Sequence, residues 1–292
     1  MTHKTKVFSI TALAFLTLLT GCSGSGGSGG GFPGISGLPL SSIIGEKNAK
    51  YVDVAATALS AEAMTEQKQG EFGKAVAIAA TNRWPLFDKP ELTKYVTMVG
   101  ITVASESSNP DGNWVFGVLD TPDINAFSGP NGYIMVTRGA IAAMEDESEL
   151  AGVLAHEIAH VDNRDGLESI KYEKRNEALM KGLSTTNQNF AFFNQLTGNL
   201  TQKILTSGYS QTQETNADSK GQKLLVAAGY DPNGLVKFLR HLEERKGGSG
   251  KLFSTHPGTA DRIAHITAQI GSAKPGATNR DRFVKETAVA KL

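Results

Sequence analysis

Cysteine is nearly absent from this chain, and neither sign of charge is in excess. Cys22 is the single cysteine among 292 residues, which excludes an internal disulfide framework. Lysine plus arginine and aspartate plus glutamate number 29 each, so the formal net charge is zero. Because phosphate contacts need clustered positive charge, this composition argues against nucleic acid as a partner.

The apolar stretch at the N-terminus is too short to span a bilayer and has the form of a secretory signal. Lys4 and Lys6 precede an apolar segment at 7–19, which is shorter than the roughly 20 residues that a spanning helix needs. The segment ends in LTGC, and this ending at Cys22 resembles the lipobox of bacterial lipoproteins. We therefore predict a lipoprotein signal peptide at 1–21 and lipid attachment at Cys22, with a chance cysteine as the alternative.

Glycine and serine dominate the residues that follow, which is typical of a flexible tether. We predict this tether at 22–45, a globular domain at 46–272 and a C-terminal tail at 273–292. Ser23 follows the cysteine, a pattern that resembles lipoproteins sent to the outer membrane. The expected location is therefore the bacterial cell envelope, at the periplasmic face of the outer membrane, where the lipid binds the membrane.

The predicted elements run from helices through a small sheet to further helices, which favours the α+β class. The turn sequence SGPNG separates two strands and predicts a hairpin. Gly229 is suited to a left-handed cap at the end of the helix before it. Strands are predicted at 113–120, 124–127 and 133–137, and helices at 48–80, 92–107, 139–163 and 212–228.

Two of the six histidines lie in the stretch VLAHEIAHVDNRDG. His156 and His160 are four residues apart, so they project from consecutive turns of a helix at an angle of about 40° to each other. Imidazole nitrogens at this spacing can bind one zinc ion, and Glu157 can then reach a water molecule beside it. The alternative is a pair of histidines on an ordinary amphipathic helix.

A catalytic zinc site needs a third protein ligand. Glu214 and Asp218 are four residues apart in YSQTQETNADSKGQKLL, so both project from one face of a helix. We predict that Glu214 binds zinc and that Asp218 holds the other ring nitrogen of His156. Without the histidine motif upstream, solvated surface charges would be the better interpretation of this acidic pair.

Four segments, taken together and in order, resemble the gluzincin metallopeptidases of the HtpX and CaaX-prenyl-protease type. They are INAFSGPNGYIMVTRGAI, ELAGVLAHEIAHVDNRDG, YSQTQETNADSKGQKLLVAAGYDP and STHPGTADRIAHI. The resemblance covers about 46–270 and is strongest to bacterial lipoprotein and periplasmic members. It departs at Gln211, where relatives often carry a charged residue. It implies a mostly helical zincin domain with a small β-sheet whose edge strand lines the active site.

The resemblance implies a zinc-dependent endopeptidase that holds one Zn²⁺ per chain. Glu157 would be its general base. The backbone of Asn125, Ala126 and Phe127 would pair with an extended or unfolded polypeptide substrate as an added strand. The implied substrates are misfolded or mislocalised envelope proteins, with other envelope proteins as partners.

His256 lies in the Thr-His-Pro segment and has two functional interpretations. It would either stabilise the oxyanion during hydrolysis or occupy the fourth zinc position and keep the enzyme latent. A plain loop histidine is the third interpretation, whereas His241 and His265 are expected to be ordinary helix-surface residues. A chaperone-like or binding lipoprotein with a plugged or structural zinc site is the main alternative function. The edge strand disfavours a hydrolase of non-peptide substrates.

Replacing Cys22 by serine removes the thiol that would receive the lipid. The change is expected to release the protein from the membrane fraction or leave it unprocessed, because several acyl chains are needed for stable anchoring. Fractionation of cells, followed by immunoblotting, measures this. Ser25→Ala in the tether is the control and should stay at the membrane. Equal solubility of the wild type and Cys22→Ser would contradict lipidation.

Overall fold

The computed structural model describes residues 66–169, 202, 204, 206, 208–244, 256 and 259–291. The predicted signal peptide, the tether and the first part of the predicted helix 48–80 lie outside these residues. In chain order, the described elements are α1 (Glu66–Arg83), α2 (Pro90–Ala104), β1 (Val115–Leu119), β2 (Ala126–Gly129), β3 (Tyr133–Thr137), α3 (Arg138–Ala143), α4 (Glu147–Asp162), α5 (Gln211–Ala227), α6 (Gly234–Glu244), α7 (Thr259–Ile270) and α8 (Arg280–Thr287). Among them, no helix combines the length and the apolar character needed to cross a bilayer.

The three described strands form one small mixed sheet in the order β1-β3-β2. β1 pairs with β3 in parallel, and β2 pairs with β3 in antiparallel fashion, with Ala126 opposite Val136. The connection between β2 and β3 turns through Asn131 and Gly132, which both have positive φ angles. The predicted hairpin is therefore confirmed, and β2 lies at one edge of the sheet.

The predicted helix at 139–163 is two helices rather than one. Met144 takes an extended conformation after α3, with φ −83 and ψ 155. The side chain of Asp146 then accepts a hydrogen bond from the backbone N–H of Glu149 and begins α4 as its N-cap. Asp146 offers the new helix an acceptor for an otherwise unpaired amide. Farther along, α5 ends at Ala227, and Gly229 follows with φ 82, so the predicted left-handed end of that helix is confirmed.

Helix α4 lies at the centre of the molecule and is buried from Glu147 to His160. Two glycines allow its neighbours to approach closely. A Cβ atom added to Gly221 of α5 would lie 3.0 Å from the carbonyl oxygen of Ala155. A Cβ added to Gly152 of α4 would lie 2.6 Å from the backbone nitrogen of Leu235. The backbones of α5 and α6 therefore pack directly against α4.

The C-terminal residues belong to the domain, so the prediction of a separate tail at 273–292 is wrong. Phe283 is 1% exposed and lies in the same apolar core as Leu150 of α4. The backbone of Ala277 also pairs with the chain near α6, accepting a hydrogen bond from the N–H of Asp231 at 3.1 Å. The sequence of α8 is mostly polar, and only tertiary contact shows that Phe283 is buried.

Glu147 joins this C-terminal segment to the first turn of α4. Its carboxylate is fully buried and accepts hydrogen bonds from Tyr95 at 2.6 Å, from Tyr230 at 3.0 Å and from Asn279 at 3.0 Å. Arg282 of α8 also pairs with it. Burial alone would raise the pKa of Glu147, but these donors outweigh burial and lower it. The buried charge is therefore fully compensated.

Phe283→Ala tests whether α8 is part of the folded domain. Removing a buried phenylalanine side chain typically lowers the free energy of unfolding by about 3–5 kcal/mol. Equilibrium urea unfolding, followed by circular dichroism, measures this difference. The neighbouring Val284 is 48% exposed, and Val284→Ala serves as the matched control, with an effect of about 0.5 kcal/mol. Equal effects of the two substitutions would contradict the packed arrangement.

Candidate metal centre

The two histidines of α4 point to one place, as their spacing predicted. His156 is 3% exposed and His160 is 1% exposed. Their Nε2 atoms lie 3.0 Å apart, with the two rings nearly perpendicular. Both side chains thus direct the same ring nitrogen towards a common point in the interior.

Helix α5 adds a carboxylate at the same point. Ser210 caps this helix in a capping box with Gln213, which fixes its first turn. Glu214 follows in that turn, and its Oε2 lies 3.4 Å from Nε2 of His156. The other oxygen, Oε1, lies 3.5 Å from Nε2 of His160. The structure therefore brings together the three predicted metal ligands.

A second carboxylate holds the outer nitrogen of each imidazole. Oδ1 of Asp218 lies 2.9 Å from Nδ1 of His156, which is the pairing that the sequence analysis expected. Oδ2 of Asp165 lies 2.7 Å from Nδ1 of His160, a contact that the sequence analysis missed. Arg164 has a φ of 59 just after α4 and turns the chain so that Asp165 can reach back. With Nδ1 donating, each Nε2 keeps its lone pair for a metal ion.

The electrostatics of the cluster favour positive charge at its centre. Burial alone would lower the pKa of His160, but hydrogen bonds with Asp165 and Glu214 outweigh burial and raise it to about 10. Burial would likewise raise the pKa of Glu214, yet His256, His156 and His160 hold it well below its usual range. A metal cation held by these residues would supply the positive charge that the carboxylates attract.

His256 reaches the same cluster from the segment before α7, although it is distant in sequence. It is 5% exposed, and its Nδ1 lies 3.0 Å from Oε2 of Glu214 and 3.3 Å from Nε2 of His156. On the other side of the ring, Nε2 lies 3.4 Å from the carbonyl oxygen of Ala126. His256 therefore offers a fourth donor and also contacts the edge strand.

Glu157, the predicted base, lies beside this ring. The carboxylate is 1% exposed, and its Oε1 is 3.5 Å from Nε2 of His256. Within the part of the chain that the structure describes, its Oε2 has no hydrogen-bond partner. A buried carboxylate oxygen without a donor is suited to accept a proton from a reacting molecule.

Two further residues border the cluster and were not singled out from the sequence. Arg262 of α7 binds both oxygens of Asp218, at 2.8 and 2.7 Å, and its Nη1 lies 3.4 Å from Glu214. Tyr209 packs its ring against His160, with 4.4 Å between ring centroids. Arg262 belongs to the STHPGTADRIAHI segment, but only its distance to Asp218 shows its role in holding that carboxylate.

Only part of the predicted substrate-binding strand faces the open edge. The backbone of Asn125 already pairs with Thr137 of β3, whose N–H donates to the Asn125 carbonyl oxygen at 3.0 Å. Backbone groups alternate in direction along an antiparallel strand. Phe127 therefore also faces β3, whereas Ala126 and Ser128 present their backbone groups outwards. The backbones of Asn125 and Phe127 are thus used within the sheet, and substrate pairing along β2 stays a prediction that now centres on Ala126 and Ser128.

The donors in the cluster fit a divalent metal of the zinc class. One ligand atom from each of His156, His160, Glu214 and His256 can be chosen so that all lie within 4.8 Å of one another. Nitrogen and carboxylate donors of this number are typical of zinc. A cavity of about 440 Å³ opens beside His160 and extends along the outer part of β2. Trp114, Ser128, Asn131, Arg164 and Tyr209 are among its lining residues.

The histidine pair of α4, the glutamate of α5 and the adjoining edge strand define a metallopeptidase of the gluzincin class. The chain belongs to Peptidase family M48, whose sequence profile matches residues 90–270, more than half of its length. The expected family and the α+β zincin fold are thereby confirmed. Membership of this family also confirms the expected class of enzyme, a metalloendopeptidase.

Several relatives are similar to this chain. The beta-barrel assembly-enhancing protease of Escherichia coli is 28% identical over 202 residues, which cover 65% of this chain and 41% of the relative. Mitochondrial metalloendopeptidase OMA1 of Schizosaccharomyces pombe is 31% identical over 189 residues, which cover 62% of this chain and 54% of the relative. Metalloprotease YcaL of Escherichia coli is 29% identical over 188 residues, which cover 62% of this chain and 72% of the relative. The chain thus spans less than half of the beta-barrel assembly-enhancing proteases that it matches.

Asp165→Asn tests the contact that positions His160. The substitution weakens the acceptor for Nδ1, and loss of such a partner typically lowers metal affinity by about 10–100-fold. Competition with a zinc chelator measures the affinity. Asp162→Asn is the matched control, because Asp162 binds the backbone of Ser108 and the side chain of Lys220 rather than a histidine. Equal affinities of the two variants would refute this role of Asp165.

Proposed function

We propose that this protein is a latent zinc endopeptidase of the bacterial envelope, tethered by a lipid on Cys22. The observation that carries the proposal is the buried cluster of His156, His160 and Glu214 next to an open strand edge. Glu157 lies beside this cluster with a carboxylate oxygen that lacks a partner among the described residues. Zinc, at one ion per chain, is the metal that this donor set favours.

Each residue of the site has a separate task in peptide hydrolysis. His156, His160 and Glu214 would hold the zinc ion, while Asp218 and Asp165 keep the two imidazoles oriented. When bound, zinc polarises the scissile carbonyl and lowers the pKa of a water molecule. Glu157 takes the proton from the attacking water and passes it to the leaving amine.

The edge strand would bind the substrate through its main chain. Ala126 and Ser128 direct their backbone groups away from β3, so an extended polypeptide can add to the sheet beside them. Such pairing depends on backbone groups and requires an unfolded or flexible substrate segment. The cavity beside β2 then accepts substrate side chains near Ser128. This arrangement supports a preference for unfolded proteins.

His256 obstructs this binding site in the described arrangement. Its ring contacts the Ala126 carbonyl, which a substrate strand would use, and it also lies at the metal ligands. A substrate must therefore displace the ring before it can pair with β2. His256 lies outside the regular helices, and such residues can move more readily than helical ones. Once displaced, its ring N–H can donate to the oxyanion that forms during attack.

The envelope location and the substrates rest on the sequence and on the relatives. The N-terminal lipobox-like ending and the glycine-rich tether are consistent with an outer-membrane lipoprotein facing the periplasm. Relatives in Escherichia coli are named as proteases that enhance β-barrel assembly. Misfolded or mislocalised envelope proteins are therefore the substrates we propose, with other envelope proteins as partners.

One observation favours a second candidate, a chaperone-like lipoprotein whose metal site is plugged. The four donors that include His256 would complete a tetrahedral metal site and leave no position for water. A protein of this kind would bind unfolded chains along β2 without hydrolysing them. Cleavage assays separate the two candidates. The protease should cleave an unfolded substrate and lose this activity when Glu157 is replaced, whereas the chaperone-like protein should not cleave at all.

Glu157→Gln is the direct test of the proposed protease. The amide cannot act as a base, so cleavage of casein or an unfolded outer-membrane protein should fall by about 100-fold or more. Elemental analysis should still find about one zinc per chain, because Glu157 is not a metal ligand in this proposal. Glu91→Gln, at an exposed position of α2, is the control. Unchanged cleavage would exclude Glu157 as the base, and absence of zinc would exclude the metal assignment.

His256→Ala separates latency from a purely catalytic role. Removing the ring frees the edge strand and the fourth metal position, so basal cleavage should rise roughly two- to tenfold. A fall in turnover would instead show that oxyanion stabilisation is its dominant role. Rates are compared for a folded and an unfolded substrate, with His265→Ala as the control. Unchanged rates with both substrates would eliminate both roles.

A further inference from the structure

A second group of metal-binding side chains lies at the opposite end of α4 from the histidine pair. His241 of α6 places its Nδ1 3.2 Å from Oε2 of Glu149, in the first turn of α4. Its Nε2 lies 3.8 Å from Oε1 of Glu145. One ligand atom from each of these residues can be chosen so that all three lie within 4.8 Å. Glu149 precedes His156 by seven residues, which is roughly 10 Å along the helix.

Glu149 is the unusual member of this group. It is 1% exposed, and its Oε1 has no hydrogen-bond partner within the described residues, although the other oxygen contacts His241. A buried carboxylate oxygen without a donor or cation is unfavourable, because it has lost its water without replacement. Burial, with the nearby charge of Asp146, raises the pKa of Glu149 to about 7 even though His241 opposes the shift.

The neighbouring cations bind other carboxylates. Arg280 contacts Oε2 of Glu145 at 3.3 Å, and this leaves Oε1 of the same side chain directed to His241. Lys237 lies 3.4 Å from Asp146 and at the same distance from Asp231. Within the described part of the chain, the structure therefore shows His241, and no lysine or arginine, in contact with the Glu149 carboxylate.

We propose that Glu145, Glu149 and His241 form a second divalent-cation site, selective for zinc-class metals and separate from the catalytic centre. One imidazole nitrogen and two carboxylates form a donor set that zinc accepts, with water completing the coordination. Magnesium prefers oxygen donors alone and would be bound poorly here. The cation would supply a positive partner for Oε1 of Glu149, which has no hydrogen-bond partner among the described residues.

Binding at this site would join α4 to α6. Glu149 begins the helix that carries the catalytic histidines, and His241 lies in the last turn of α6. Because the three donors come together only in the folded chain, the metal binds the native state and stabilises it. Occupancy is thus expected to stabilise the first turn of α4 without contributing to hydrolysis.

Zinc titration of the full-length chain that already holds one zinc ion tests this proposal. Equilibrium dialysis over a range of buffered free zinc, with elemental analysis, counts bound ions, and thermal unfolding follows stability. We expect a second bound zinc and a rise in Tm of about 5 °C when free zinc exceeds the dissociation constant about 100-fold. Magnesium at the same concentrations should produce neither change.

Three variants connect the second ion to these residues. His241→Ala and Glu145→Gln should each weaken the second zinc at least tenfold and leave the first bound. Glu145 is 56% exposed, so its variant is expected to fold even where a change in the core is not tolerated. His265→Ala removes a half-buried histidine that instead contacts Ser219, and it should keep both ions.

A wild-type chain that binds only one zinc would overturn the proposal. Equal affinity for the second ion in Glu145→Gln, His241→Ala and His265→Ala would overturn it as well. A wild-type chain whose bound zinc is lost on replacing His241 but not His156 would instead contradict the metal centre at His156, His160 and Glu214. The two metal assignments can therefore be refuted independently.

Discussion

The metal centre depends on a requirement that every buried charge be compensated. Asp218 is enclosed by Arg262 and His156, Asp165 by His160, and Glu214 by three imidazoles. Burial alone would raise the pKa of Asp218, but Arg262 and His156 outweigh burial and lower it to about 2, so the carboxylate stays ionised. Since each ion holds its neighbour in one orientation, the two histidines are positioned before a metal arrives. The Nδ1 atoms of both imidazoles are occupied by carboxylates, so only the Nε2 atoms remain to bind a metal ion.

This arrangement requires unusually close helices. Gly221 allows the backbone of α5 to approach α4 at Ala155 and His156, and Glu214 and Asp218 come from the same face of α5. A larger residue at this position would separate the two helices and move both carboxylates away from the imidazoles. The absence of a side chain at Gly221 therefore sets the distance between ligands that are 54 residues or more apart in the sequence. Helix packing and metal chemistry are coupled here.

Much of the candidate site could be predicted because its signals are local. The spacing of His156 and His160, and that of Glu214 and Asp218, fixes their helix faces without knowledge of the fold. Asp165 and Arg262 escaped prediction because their roles depend on a left-handed turn and on the packing of α7. The strand residues are a different case. Backbone groups alternate in direction at each strand residue, and the sequence alone does not show which alternate set pairs with β3, so the prediction took three consecutive residues, Asn125, Ala126 and Phe127. The polar sequence of α8 likewise concealed the buried Phe283.

Through Glu147, the first turn of α4 depends on residues near the C-terminal end of the chain, which are synthesised last. The partner of Glu147, Arg282, lies 135 residues later in the chain, in the last described α-helix. Until that helix has been synthesised and has reached the rest of the domain, the first turn of α4 carries a carboxylate whose strongest partner is missing. An incomplete chain would therefore hold the histidine pair on a helix that cannot yet be buried stably. Such a fragment would lack the positioned imidazoles of the complete domain, so the metal cluster and the C-terminal helix form together.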